Sequence, residues 1–170
     1  MRRLLPILAA CLLVGACASA KQFDAARDVH TLLISIRDDD DVTFEAHVDR
    51  PALQREIEAR MAHEVMSSKA DQRVKALGLL LGPTVARVAG EAFVQPGTFR
   101  MVAASYGYKP SQPIPGPMTI AQVLRPLDDG RMCAVTKKDG PCLLIFSHRP
   151  GDTWRLSGFE GDLKMLKKPF

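Results

Sequence analysis

The chain has 170 residues, 46% hydrophobic and 25% charged, with a formal net charge of +4. That length suits one domain able to bury a sizeable core. The basic excess is too weak for a concentrated nucleic-acid face, and aromatics at 6% leave few surfaces for stacking bases or sugars.

Residues 1–20 read as an export signal. Arg2 and Arg3 give a cationic start, Leu4 to Val14 an apolar run, and Gly15 to Ala20 a small-residue exit. The run is too short for a membrane span, which needs about twenty apolar residues. Two processing sites overlap at its end. Val14-Gly15-Ala16-Cys17 is similar to a lipobox, in which the cysteine is lipidated and becomes the new N-terminus. Ala18-Ser19-Ala20 before Lys21 instead fits ordinary signal-peptidase cleavage. The lipobox is preferred, because an apolar run feeding a small-small-Cys exit is otherwise coincidental. The similarity to Gram-negative lipoproteins then implies sorting to the outer membrane, since Ala18 is not the aspartate that retains such proteins on the inner membrane. The expected address is the periplasm, with acyl chains on Cys17 holding the chain to the bilayer. Cleavage after Ala20 would leave it soluble there. Loss of Arg2 and Arg3 lowers the charge to +2. It also leaves Cys133 and Cys142 as a pair in an oxidising compartment, flanking the turn Lys137-Lys138-Asp139-Gly140, where a disulfide is expected.

Residues 21–160 are expected to form a single α+β domain, with 161–170 a basic tail. Phe23, Ala26, Val29, Leu33 and Ile36 recur at three- and four-residue steps, as on one face of an amphipathic helix. The Asp38 to Asp41 run stops it, and an aspartate there caps a short turn over Val42 to Val48. Asp49 with Arg50-Pro51 opens a third helix striped by Leu53, Ile57, Met61 and Val65, with Glu56 and Arg60 as an i,i+4 pair. Ser68 and Asp71 are placed like a capping box for a fourth helix through Val74, Leu77 and Leu80-Leu81, which Gly82-Pro83 ends. Pro83 begins a further helix to Phe93, and Pro96-Gly97-Thr98 a short one carrying Phe99, Val102 and Ala103.

Pro110, Pro113, Pro115 and Pro117 then favour an extended path. After a short helix over Thr119 to Leu124, three strands are expected: Arg131 to Thr136, Cys142 to His148 and Asp152 to Phe159. They form an antiparallel meander whose middle strand is covered on both faces, with the helices packed on one side.

The stretch LLISIRDDDDVTFEAHVDRPALQREIEARM resembles the opening of the bacterial envelope family known as domain of unknown function 2939. AFVQPGTFRMV and DTWRLSGFEG are similar to its later helix start and closing strand, so the resemblance spans about residues 23–160. Arg50, where an aromatic is common, and the ending 161–170 depart from its pattern. The resemblance implies the same fold class and an envelope address, and it adds no chemistry.

The chemistry-bearing residues form no catalytic motif. Asp38 to Asp41 lacks the spacing, glycine and terminal glutamate of a calcium loop and reads as a solvated capping turn. His30, His47, His63 and His148 match no zinc pattern, and no metal or other cofactor is expected. Ser105, Ser111 and Ser147 sit in no nucleophile elbow, and the glycines make no phosphate loop. Trp154 reads as core and the tail Leu163 to Lys168 as a solvated terminus.

The expectation is therefore a non-enzymatic module of the envelope that binds another envelope protein or a small ligand, and no nucleic acid. A second reading is a ligand-holding cup similar to the nuclear-transport-factor-like fold; a hydrolase comes third. A deep apolar cavity would favour the cup, and a filled core with an exposed apolar surface the docking module. A His-Asp pair in hydrogen-bond reach, or converging carboxylates, would favour catalysis.

Overall fold

The computed structural model describes residues 5–69, 71–105, 107–136, 140, 142–148 and 152–160. Side chains are described from residue 20 onward, apart from several positions between 74 and 93. Helix α1 (Leu5–Asp38) is continuous, and it buries Ala25, Ala26, Val29, Leu32 and Ile36 along one face. Asp39 ends it in the left-handed region, φ 61°, which a short polar side chain tolerates better than a branched one. Asp40 then caps α2 (Asp41–Ala46), its carboxylate accepting the Thr43 N–H at 3.1 Å and the Thr43 hydroxyl at 2.5 Å. Asp49 repeats the device for α3 (Arg50–Ser67), accepting from the Ala52 N–H at 3.0 Å beside Pro51.

Helix α4 (Gln72–Phe93) departs from expectation, because it passes through Gly82-Pro83 without stopping. A residue before proline is driven from the helical region by its Cβ, and Gly82 has none. The apolar period also stays in phase across the pair, from Leu81 to Val85 to Val88. The Ser68–Asp71 box is likewise replaced by separate caps. Ser68 closes α3, its hydroxyl donating to the Val65 carbonyl, while the Asp71 carboxylate accepts the Arg73 N–H at 2.9 Å. Helices α5 (Pro96–Ser105) and α6 (Pro117–Val123) complete the helical part.

The sheet has four antiparallel strands rather than three, in the order β1 (Leu124–Pro126), β2 (Met132–Ala134), β3 (Leu144–Ser147), β4 (Arg155–Phe159). The added strand follows α6 directly, pairs Leu124 with Ala134 and ends on Pro126 at the sheet edge. Three residues are too few to show alternation, and proline lacks the N–H of an inner strand. Alternation also fails in β3, where the register shifts between Ile145 and Phe146, opposite Gly158 and Leu156. Both side chains are buried while Leu144 is exposed, so the middle strand is not covered evenly on both faces.

At the far edge, the segment between α2 and α3 lies parallel to β4, with Leu156 donating to His47 O and Asp49 donating to Leu156 O, each at 2.9 Å. Helix α3 is clamped to the same strand by Arg60. Its guanidinium pairs with Glu56 at 2.6 Å, donates to the Phe159 carbonyl and lies 4.6 Å above the Phe159 ring. Phe44, Phe146 and Leu156 fill the space between helices and sheet, each 2% exposed or less. Phe44 meets Phe99 of α5 edge-on at 5.5 Å.

Candidate functional site

Polar groups converge where α1, α2 and β4 meet. Asp24 and Asp28 lie one turn apart on α1, beside the buried Ala25 and Val29. The Asp28 carboxylate accepts the backbone N–H of Trp154 at 2.8 Å, and Asp24 accepts the indole N–H at 3.3 Å. His148 stacks on the indole, ring centroids 4.8 Å apart. His47 is buried; its Nδ1 donates to the Thr43 carbonyl at 2.8 Å, and its Nε2 stands 4.0 Å from Asp28. That separation exceeds a hydrogen bond. The two carboxylates converge, but on the two N–H donors of one buried tryptophan, and their geometry fixes the start of β4 over α1.

The remaining histidines are dispersed. His30 donates to the Pro115 carbonyl at 2.9 Å and ties the proline-rich segment to α1, while His63 is exposed on α3. Among the described residues, no group of three or more His, Cys, Asp or Glu is placed to hold a metal ion. Within the aspartate run, hydrogen bonds from Thr43 hold the Asp40 carboxyl below its ordinary range, and Arg37 does the same for Asp38. Asp38 pairs with Arg37, Asp39 stands 2.9 Å from Arg100 of α5, and Asp40 caps α2.

Cys133 and Cys142 are bonded to each other, Cα atoms 5.5 Å apart, and with Val135 form a small buried cluster beside Leu127. The β2–β3 register pairs Cys133 with Ile145, so the two cysteines are offset along the hairpin rather than opposite. Residues 137–139 of the intervening turn lie outside the described residues. Cys17 falls within α1, but its side chain lies outside the described residues, as does the 161–170 tail.

Among the described residues, α4 exposes several aliphatic side chains close together. This helix packs mainly on α3, where Gly78 allows the close approach: a Cβ there would stand 3.1 Å from Val65 Cγ1. Along α4, Leu80, Leu81, Val85 and Val88 are 78, 53, 48 and 54% exposed; Val85, two turns from Gly78, lies beside the α3 contact and Leu80 away from it. These four large aliphatic side chains fall within three turns, closer together than the singly scattered apolar residues of an ordinary surface. The sequence contained this signal as the apolar repeat itself, but a stop at Gly82 split it into two short helices, and periodicity does not distinguish a buried stripe from an exposed one.

The comparisons with known proteins bear on the first three fifths of the chain. A family model described as "Protein of unknown function (DUF2939)" matches residues 10–102, from within α1 to within α5. The match leaves out the sheet, so the resemblance of DTWRLSGFEG to the family's closing strand lies beyond it. No curated protein and no solved structure matches the chain. With more than half of its length matched, the chain belongs to the family of unknown function DUF2939.

Proposed function

We propose that this protein is an exported module of the bacterial envelope, tethered through acylated Cys17, that works by docking a partner on the exposed face of α4 rather than by catalysis. The observation that carries the reading is the apolar patch Leu80, Leu81, Val85 and Val88 on a helix packed on α3. Leaving that much aliphatic surface in water costs about 25 cal/mol per Å2, a penalty that a partner would remove. The filled core between helices and sheet supports docking over a ligand cup, since Phe44, Phe146 and Leu156 occupy the place of a ligand. The polar cluster supports a structural role too, because Asp24, Asp28 and His47 direct their hydrogen bonds at Trp154 and Thr43.

The export signal supports the address. Among the described side chains, which begin at residue 20, those of α1 that join the core lie at Ala25 or beyond, and Gln22 donates to the carbonyls of Ala121 and Leu124 at 2.7 Å. Cleavage before Cys17 or after Ala20 therefore keeps these contacts. The test is a photoreactive residue placed at Leu81 in cells producing the full chain, with Glu58 on the exposed side of α3 as control. Adducts from position 81 and none from position 58 are expected. Equal or absent adducts from both contradict the docking face.

A further inference from the structure

The α4 patch is bordered by charges that specify what it meets. Arg73 and Glu91 are eighteen residues apart, which is five turns, so they stand on one line of the helix about 27 Å from each other. Both are exposed, and among the described residues Arg73 makes no ion pair. Glu91 stands 3.5 Å from Arg87 on its own helix, with both side chains more than half exposed, and its charge also acts on Arg50 at the start of α3. The midpoint between Arg73 and Glu91 is position 82, which also divides Leu80 and Leu81 from Val85 and Val88.

We infer that the partner of this face is a second copy of the chain, with the two α4 helices antiparallel about a two-fold axis at the height of position 82 along the helix. This rests on the docking reading and names its occupant. Antiparallel alignment sets Arg73 of each copy beside Glu91 of the other, and Glu91 then lies between Arg87 of its own helix and the incoming Arg73. Leu80 and Leu81 of one copy fall within about one turn of Val85 and Val88 of the other, so the apolar patches cover each other. The contact is isologous and closes at two copies, because the same patch is used twice. A lipid surface is less well matched. An interfacial helix carries a strongly cationic polar face; of the three cations of α4, the Lys75 ammonium donates to the Met66 carbonyl at 3.0 Å and Arg87 stands beside Glu91, which leaves Arg73.

The test uses two differently tagged copies of the full chain produced in the same cells, each with a photoreactive residue at Val85, and reads the adduct that carries both tags. The parent is expected to give this adduct. Glu91→Arg or Arg73→Glu alone should lower its yield about tenfold, because each change turns two attractions into two repulsions. The combined Arg73→Glu/Glu91→Arg chain should restore it. Val88→Gln, which leaves both charges in place, should lower it as well, and circular dichroism of each purified variant verifies that α4 remains helical. No doubly tagged adduct, or an adduct indifferent to the charge exchange, overturns the inference. If the Leu81 probe then still captures a different protein or lipid, the docking reading stands without self-association. If it captures nothing, both fall.

Discussion

Trp154 shows how one side chain orders its neighbourhood. It is 3% exposed, holds the start of β4 over α1 through Asp28 and Asp24, and stacks against His148. Trp154→Phe keeps the apolar contact but removes the indole N–H and leaves a gap, so it should cost about 2 kcal/mol in denaturant unfolding. Asp24→Asn should cost less than about 0.5 kcal/mol, since Asp24 is exposed and water replaces what is lost. Asp40 gives a pH dependence of known sign. Its folded carboxyl titrates below its unfolded one because Thr43 donates to the charged form. The contribution is therefore complete above the unfolded value and is lost as pH falls through the folded one. Asp40→Asn, which still accepts the Thr43 N–H, should flatten the acid limb of the stability curve, measured as urea midpoints from neutral to acid pH. The capping aspartates and the buried tryptophan were legible in the sequence, because local rules dictate them. The tie from Trp154 to Asp24 and Asp28 was not, because it spans more than 120 residues and depends on how α1 lies over the sheet.

Among the elements, those with strong local signals form where their residues indicate. α3 has its aspartate cap, its proline and its Glu56–Arg60 pair, and α5 begins at Pro96. Two elements depart from the pattern for physical reasons. Gly82 relieves the clash that makes proline a helix terminator, which fuses two expected helices into α4. β1 is formed by pairing rather than by propensity, since Leu124 to Pro126 gain order only by lying against β2. The β2–β3 hairpin is short, and its stability leans on the Cys133–Cys142 bridge at its turn end. Replacing both cysteines by alanine should lower stability by about 2–3 kcal/mol, and a reducing agent should bring the parent to the same unfolding midpoint. An unchanged midpoint under reduction would place the hairpin's stability in the sheet alone.

For the whole molecule, the α+β order, helices first and an antiparallel sheet last, could be read from where helical periodicity gives way to prolines and short apolar runs. The exposed apolar residues of α4 could not, because composition shows that a helix is apolar without showing which of its residues are covered. Family membership over residues 10–102 takes in α3 and α4, so the face lies within the matched part while the sheet lies outside it. Docking and address together define the proposed role, and the address depends on residues 1–20. The intact mass of the protein recovered from the envelope of cells producing the full chain tests it most directly. The account predicts a chain beginning at Cys17 with its acyl groups attached. A chain beginning at unmodified Lys21 would contradict the tether, and one retaining Met1 in the cytosolic fraction would contradict export itself.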